Sequence, residues 1–290
     1  MIDPLLQLHS DSRLFLEMVR TTSDQCGFDA RLVEKDYYCS LVLQTLCVGE
    51  SPLVFKGGTC ISKVFLSFYR LSEDLDFCIP GSNSRAIRRR AIVPVKDAVA
   101  ALPDRIAGVR IQEPLTGHNE STQYIATLGY VSVITSALEP IKVEVGLREP
   151  LMRPSESRSV RTLLKDPFSG RDILAPFAIS VMNEQEAWAE KTRAALCRLE
   201  PAIRDFFDLH FASTNLGIDL ESPDFLNLVR RKLAVPGNGP IVLSPERHAE
   251  LDRQIEGQLQ PVLRSRDFER FNLARVWDKL VALVKNLKEV

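Results

Sequence analysis

Two aspartates separated by a single residue, Asp74 and Asp76, are the side chains in this sequence with the clearest potential for chemistry. They lie in the stretch 54–79, where an apolar run, a glycine pair and a second apolar run precede them, a pattern that predicts strand, turn, short helix and strand. Because side chains alternate along a strand, both carboxylates are expected on one face. Neighbouring carboxylates repel each other, and Mg²⁺ is typically held by such carboxylates together with substrate phosphates. The stretch therefore predicts a metal–nucleotide site.

The glycine pair predicts a phosphate-binding turn, because glycine allows backbone N–H groups to approach an anion closely. Lys63 follows about one helical turn later and is expected to reach the same phosphate oxygens. The spacing differs from the Walker A pattern, which argues against a P-loop ATPase. Arg70 either holds a phosphate or pairs with Glu73 as scaffold. The predicted nucleotide-binding residues of this stretch are Lys56, Gly57, Gly58, Thr59, Lys63 and Arg70, with the Thr59 hydroxyl as a further donor.

A third carboxylate is predicted at Glu144, on a strand over residues 140–147 in which apolar and polar residues alternate. Nucleotidyl transfer depends on charge neutralisation and in-line geometry, which two metal ions about 4 Å apart provide. Asp74 and Asp76 would bridge the metals. Glu144 would bind one of them and accept the proton of an attacking hydroxyl. The predicted metal ligands are therefore these three carboxylates, with Mg²⁺ or Mn²⁺ as the ion.

The chain of 290 residues carries a formal net charge of −1 and is 45% hydrophobic, as expected for a globular protein. A nearly neutral chain has no general attraction for nucleic acid, so any RNA contact requires local basic patches. Its six cysteines form no C-x-x-C pair, which predicts free thiols and a reducing, cytoplasmic compartment. The first residues lack a signal-peptide pattern, and no segment has the roughly 20 apolar residues that span a bilayer. We therefore expect no membrane partner.

The hydrophobic patterns predict two domains. In residues 1–178, two N-terminal helices before residue 48 precede a region rich in strands, which predicts an α+β domain with a mixed sheet. Residues 179–290 predict an all-helical domain, and residues 150–173 a connecting region. The expected helices cover 11–24, 30–47, 84–101, 183–199, 202–213, 223–234, 245–258 and 267–288, and the expected strands include 108–113, 122–135 and 140–147.

Charged positions on three predicted helices keep two interpretations each. The segment 34–36, Glu-Lys-Asp, is either a solvated face or part of a site. Lys191 lies on a face of small and apolar residues, so it either extends to water or points into a cleft. Asp208 follows Arg204 by four positions and either pairs with it or supports the site.

Four blocks of the sequence resemble, in order, the motifs of one protein family. The glycine pair followed by D-x-D resembles the first motif of the DNA polymerase β-type nucleotidyltransferases. Its fuller form, K-G-G-T-x-x-x-K…R-x-S-E-D-x-D, is similar to the AbiEii/AbiGii toxin family, which includes the MenT toxins. An E-K-D-Y segment lies ahead of it, and A-x-A-E-K-x-R-A-x-x-x-R…R-D-x-x-D-L resembles the third and fourth motifs of the family. The resemblance extends from Glu34 to Leu209 and includes Lys191, Arg204, Asp205 and Asp208.

This resemblance implies a polymerase-β-like nucleotidyltransferase domain, a mixed sheet flanked by helices, followed by a helical domain. It implies an Mg²⁺-dependent enzyme that takes an NTP, releases pyrophosphate and attaches the nucleotide to an acceptor, which in MenT-type relatives is the 3′ end of tRNA. It also implies a toxin of a bacterial toxin–antitoxin or phage-defence (abortive infection) system with an AbiEi-like antitoxin. Lys191 would contact nucleotide phosphate and Asp208 would support the site, in a cleft between the domains.

Two other functions remain open. One is a metal-dependent nuclease built on Asp76, Glu144 and Lys142, in which the glycine turn has no role. The other is a catalytically silent nucleotide-binding module, against which the intact carboxylates argue. The basic residues that form either an RNA path or ordinary solvated surface are Arg85, Arg88, Arg89, Arg90, Arg153, Arg158, Arg161 and Lys165.

Overall fold

A mixed β-sheet is the framework of the first of two units into which the chain divides, Met1–Met182 and Asn183–Val290. The computed structural model describes residues 8–80 and 84–288. The strands are β1 (Val54–Lys56), β2 (Leu75–Cys78), β3 (Arg110–His118), β4 (Gln123–Val131), β5 (Leu138–Gly146), β6 (Glu156–Val160) and β7 (Phe177–Val181). They form one seven-stranded sheet in the order β3-β4-β5-β2-β1-β7-β6.

The two central strands of the sheet carry the glycine and aspartate motifs. β1 pairs antiparallel with β2, and β2 pairs parallel with β5. Phe55 and Phe77 lie opposite each other and are both fully buried, with ring centroids 5.4 Å apart. Because strand side chains alternate, the polar residues that follow or precede these aromatics must point to the opposite face of the sheet.

The helices of the first unit are α1 (Ser12–Cys26), α2 (Ala30–Cys47), the short α3 (Gly57–Cys60), α4 (Arg85–Ala91), α5 (Val93–Ala100) and α6 (Leu102–Arg105). The side chain of Asp11 caps α1 by accepting from the backbone N–H of Leu14, and Asp29 caps α2 in the same way. Gly27 ends α1 in the left-handed conformation, with φ of 73°. These caps explain why the two N-terminal helices begin and end close to their predicted bounds.

The second unit is helical. Its helices are α7 (Glu184–Cys197), α8 (Ile203–Asn215), α9 (Pro223–Leu233), α10 (Pro245–Gln254), α11 (Ser265–Phe268) and α12 (Leu273–Lys288). No helix in the described part of the chain is long and apolar enough to cross a membrane. The cysteines are free, as the sequence predicted.

Several predicted bounds were wrong. The helix expected over 84–101 divides at Ile92, because Pro94 begins a new helix, and the last helix begins at Leu273 after a separate turn. The connecting region contains strand β6, and the segment 177–181 is strand β7 rather than the start of the helical domain. β7 is five residues long and its pattern is indistinguishable from a helix segment, so only its pairing with β1 and β6 defines it.

The charged segment Glu34–Asp36 of α2 is buried, so its interpretation as a solvated face was wrong. Glu34 accepts hydrogen bonds from the Ser132 hydroxyl and from the backbone N–H of Val133. Burial raises the pKa of Glu34, which these hydrogen bonds only partly offset. Lys35 Nζ lies 2.9 Å from Glu73 Oε2. Each charge therefore has its own partner elsewhere in the first unit.

Asp36 forms an enclosed ion pair with Lys63, which lies in the π-helical turn Ile61–Phe65. The side chains are only 5% and 1% exposed. Lys63 also donates to Ser40 Oγ at 2.9 Å, and Asp36 accepts from the backbone N–H of Leu163 at 2.9 Å. The pair thus joins α2, the turn after the glycine motif and the segment that follows β6.

We predict that Asp36→Asn destabilises the protein by about 3–5 kcal/mol, because the substitution leaves the Lys63 ammonium buried without a counter-ion. Denaturant unfolding measures the loss. The matched control is Glu17→Gln, which breaks the exposed Arg13–Glu17 pair on α1 and should change stability by no more than about 0.5 kcal/mol. Equal losses in the two variants would contradict a stabilising role for the buried pair.

Candidate active site

A row of charged residues crosses three neighbouring strands on one face of the sheet. Lys56 of β1 lies opposite Asp76 of β2, and Asp76 lies opposite Glu144 of β5. Directly opposed residues share a face and have Cβ atoms about 5 Å apart. All three side chains are partly exposed, whereas the alternate positions are buried. Asp74 comes two positions before Asp76, immediately ahead of β2.

The glycine turn is shaped to receive one of these carboxylates. Gly57 has φ of +78°, a conformation that side chains rarely adopt, and a Cβ there would overlap the carboxylate of Asp76 and lie 2.8 Å from its Cβ. A Cβ at Gly58 would overlap the guanidinium of Arg70. The two glycines therefore admit Asp76 and Arg70 against the backbone of the turn.

Two of the side chains predicted to bind phosphate have partners inside the first unit. Lys63 is 2% exposed and its ammonium is held by Asp36, so it does not face the carboxylate row. The Thr59 hydroxyl donates to the backbone carbonyl of Asp74, where it fixes the entry to β2. These polar groups are satisfied inside the unit, and they hold the turn in shape from within.

Arg70 also supports the turn from within. It is 1% exposed, and its Nη1 donates to the backbone carbonyl of Leu71 at 2.9 Å. Its guanidinium lies 5.7 Å from the ring centroid of Tyr69 and directly under Gly58. An arginine so enclosed does not present its donors to a soluble phosphate, in contrast to the first of its two predicted roles.

Glu144 has a partner on each carboxylate oxygen. Gln123 Nε2 donates to Oε1 at 2.7 Å, and Lys142 Nζ donates to Oε2 at 2.7 Å. Burial alone would raise the pKa of Glu144, but Lys142, Gln123 and the charge of Lys56 outweigh it and hold the pKa below its usual value. The pKa of Lys142 is raised in turn, since Glu144, Asp74 and Asp76 outweigh its partial burial.

The donor set fits a hard divalent cation. Asp74, Asp76 and Glu144 offer carboxylate oxygens, the ligands that Mg²⁺ and Mn²⁺ prefer, and Asp76 and Glu144 face each other across one ladder. Among the described residues, however, no three acidic, histidine or cysteine side chains stand close enough to enclose an ion. Each oxygen of Glu144 accepts a hydrogen bond, one from Gln123 and one from Lys142, so a cation that binds Glu144 would compete with these donors.

Lys191 of the second unit is held between two aspartates. Its Nζ lies 2.6 Å from Asp205 Oδ1 and 2.9 Å from Asp208 Oδ2, and the lysine side chain is 12% exposed. The interpretation in which Lys191 extends to water was therefore wrong. Burial raises the pKa of Asp205, but the charges of Lys191 and Arg198 outweigh it and lower the pKa overall. Asp208 supports Lys191 directly.

A pocket of about 310 Å³ in the second unit differs in character from the row on the sheet. Glu184, Asp219 and Asp224 contribute to its lining, together with the aromatic rings of Trp188 and Phe225. Three carboxylates repel a triphosphate, so this pocket is unsuited to the phosphates of a nucleotide.

Sequence reasoning missed Gln123 entirely and assigned Lys142 only to the nuclease alternative. Gln123 is the first residue of β4, and neither its residue type nor its spacing indicates a contact with Glu144. Its role follows from the register of β4 and β5, which is not visible in a single sequence. The Lys142–Glu144 contact was accessible in principle, since residues two apart on a strand share a face.

Comparison with solved structures finds chains of similar fold. The fold resembles that of a protein from H. pylori described provisionally as a nucleotidyltransferase, with a TM-score of 0.51 and 14% identity over 90% of this chain and 97% of that one. A second H. pylori structure, titled JHP933, gives a TM-score of 0.49 and 15% identity over 90% of this chain and 94% of that chain. No curated protein matches the chain.

The family follows from the sequence profile. Residues 42–284 match the family described as "Nucleotidyl transferase AbiEii toxin, Type IV TA system". The match covers most of the chain, so this protein belongs to that family and is a nucleotidyltransferase of the toxin class. The predicted family and fold class are confirmed.

We predict that Gly57→Ala destabilises the protein more than Gly108→Ala. Both glycines have positive φ, and that conformation costs an L-residue about 1–2 kcal/mol. Only the methyl group at position 57 also meets Asp76, since nothing lies within 4 Å of a Cβ at Gly108. Denaturant unfolding of both variants measures the difference, and equal losses would contradict close packing of Asp76 against the turn.

A second prediction concerns the pH dependence of Lys191→Met. The pKa of Asp205 lies below its unfolded value, so its contribution to stability is present above about pH 4 and is lost as pH falls through the folded pKa. Lys191→Met removes the ammonium that contacts both buried carboxylates, while Arg198 Nη1 remains 3.3 Å from Asp205 Oδ2. The two carboxylates then repel each other more strongly, until acid protonates them. The difference in unfolding free energy between wild type and variant should therefore shrink as pH falls below about 4. A gap that stays constant in denaturant titrations from pH 7 to pH 3 would contradict this ion cluster.

Proposed function

We propose that this protein is a Mg²⁺-dependent nucleotidyltransferase toxin that transfers a nucleotide from an NTP to an RNA acceptor, such as the 3′ end of tRNA. The observation that carries the proposal is the row Lys56–Asp76–Glu144 across β1, β2 and β5, with Asp76 seated against the Gly57 turn. A carboxylate row beside a glycine turn supplies the two parts that nucleotidyl transfer requires, a cation site and a phosphate site.

Each residue of the row has a proposed role. Asp74 and Asp76 would hold the divalent cation, Mg²⁺ or Mn²⁺, which when bound supplies charge neutralisation at the transferring phosphoryl group. Lys56 would bind phosphate oxygens as a point charge, next to the backbone N–H groups of the glycine turn. Glu144 would also bind a cation and would accept the proton of the attacking hydroxyl, in competition with its present partners Gln123 and Lys142.

Lys191 and Asp208 belong to the proposal through the family motifs that they match. Lys191 would contact nucleotide phosphate, and Asp208 would orient the lysine through the 2.9 Å contact between their charged groups. A lysine that two aspartates hold loses little further freedom when it binds an anion, which favours a positioned point charge.

The basic residues offered as an RNA path differ in availability. Arg88 is buried and donates to the backbone carbonyls of Glu120 and Ser121. Arg161 and Lys165 both pair with Asp172, and Arg158 pairs with Glu156. The exposed cations of α4 are Arg85, Arg89 and Arg90. Three guanidinium groups on one short helix support a local, salt-dependent contact with an RNA backbone.

The family, described as a toxin of a type IV toxin–antitoxin system, supports an antitoxin as partner. A role in abortive infection is a further part of the proposal. We propose an AbiEi-like antitoxin and a cytoplasmic site of action, since tRNA and NTPs are both cytoplasmic. The nuclease alternative rests on one specific observation, the 2.7 Å contact between Lys142 and Glu144, and the experiment below separates it from transfer.

The test uses the protein with Mg²⁺, each labelled NTP in turn and total tRNA. We expect label transfer to RNA. Asp74→Asn and Asp76→Asn should each lower the rate about 100-fold or more, the factor that several kcal/mol of lost charge stabilisation produces. The matched control is Asp97→Asn, an exposed aspartate of α5, which should leave the rate unchanged. RNA shortening would favour the nuclease, and full activity in Asp76→Asn would overturn the assigned site.

A further inference from the structure

Each carboxylate oxygen of Glu144 accepts a hydrogen bond from a side chain of its own sheet. Lys142 lies two residues earlier on β5, so both side chains leave the same face, and Gln123 reaches the other oxygen from β4. Both contacts are 2.7 Å, at the short end of the range for nitrogen donors. A hydrogen-bond donor on each oxygen leaves Glu144 oriented toward β4 and its own strand.

Lys142 interacts with more than one carboxylate. The charges of Asp74 and Asp76 also act favourably on its ammonium, in addition to that of Glu144. The ammonium thus balances part of the negative charge that the row gathers on this face. A divalent cation would balance the same charge at the same carboxylates.

Lys142 is able to move. The Lys142 side chain is 43% exposed and that of Glu144 is 28% exposed, so solvent reaches the contact between them. A lysine has four rotatable bonds and a strongly hydrated ammonium, which allows it to withdraw into water while its stem stays on the sheet. Half-exposed ion pairs of this kind contribute little and exchange readily.

We propose that Lys142 is an internal counter-ion that competes with the divalent cation for Glu144. In the metal-free protein the ammonium holds the carboxylate, and entry of the cation displaces it toward solvent. Lys142 then sets how much free metal is needed before the third carboxylate is in place. This inference rests on the proposed function, because it requires the metal site formed by Asp74, Asp76 and Glu144.

The experiment measures Mn²⁺ affinity without turnover, from the electron paramagnetic resonance signal of free Mn²⁺ in titrations of the intact protein. Lys142→Met should bind Mn²⁺ about fivefold more tightly, the factor that corresponds to about 1 kcal/mol, the upper value for an exposed pair. The matched control is Lys165→Met, which removes the same charge and the contact with Asp172 elsewhere in the first unit. This control should leave Mn²⁺ affinity unchanged.

A double-mutant cycle with Glu144→Gln separates direct competition from a general charge effect. If Lys142 acts mainly through Glu144, then Lys142→Met should tighten Mn²⁺ binding much less in the Glu144→Gln background, where only its weaker interaction with Asp74 and Asp76 remains. Equal tightening in both backgrounds, or no tightening in the single variant, would overturn the proposal. If the wild type binds Mn²⁺ and Lys142→Met binds it with the same affinity, the competition alone is overturned. If neither the wild type nor any variant binds Mn²⁺, the metal site is overturned, and the proposed mechanism with it.

Discussion

Repulsion between carboxylates on one face of the sheet is the constraint on which the remainder of the site depends. Asp76 and Glu144 are cross-strand neighbours, and Asp74 comes two positions before Asp76, immediately ahead of β2. Like charges directly opposed in a sheet are destabilising. Two lysines offset this repulsion. Lys56 of β1 lies opposite Asp76, and Lys142 of β5 donates a hydrogen bond to Glu144. Every proposed role, for a metal, a phosphate or a proton acceptor, follows from how this excess of negative charge is balanced.

The glycine turn and the strands beside it are also supported by buried charges that have their partners inside the first unit. Asp36 and Lys63 are the clearest case, since together they fix the turn that begins at Gly57. A buried pair is a poor source of net stability, but removal of either partner is costly. Such a pair therefore fixes the conformation of the turn more than it adds stability. A glycine turn of only a few residues does not hold one conformation on its own.

The sequence predicted most of the architecture because the signals were local. Helices α1 and α2 follow from apolar spacing and aspartate caps, and β5 follows from strict alternation. The motif also pointed to Asp76, whose carboxylate lies against the Gly57 turn. What failed was non-local. Lys63 and Thr59 were assigned to a ligand because their types suit phosphate, whereas their partners come from α2 and from the strand entry.

The sequence did not predict strand β7 or the contact of Gln123 for the same reason, since strand pairing and register are properties of the folded sheet. The interpretation of Glu34–Asp36 shows a further limit. A cluster of charges on an amphipathic helix is usually solvated, but this one is enclosed because each charge meets a complementary group from a distant segment.

The distribution of those partners has a consequence for the order in which the chain folds. One turn of α2 contacts Ser132 and Val133, Glu73, Lys63 and the backbone of Leu163. During synthesis α2 emerges long before the last of these, so Asp36 lacks the backbone N–H of Leu163 until about 130 further residues have followed. The contact between Asp36 and Leu163 forms only after β6 has been made, so a ribosome-bound chain that ends before residue 163 would carry the glycine turn and the three carboxylates without this support.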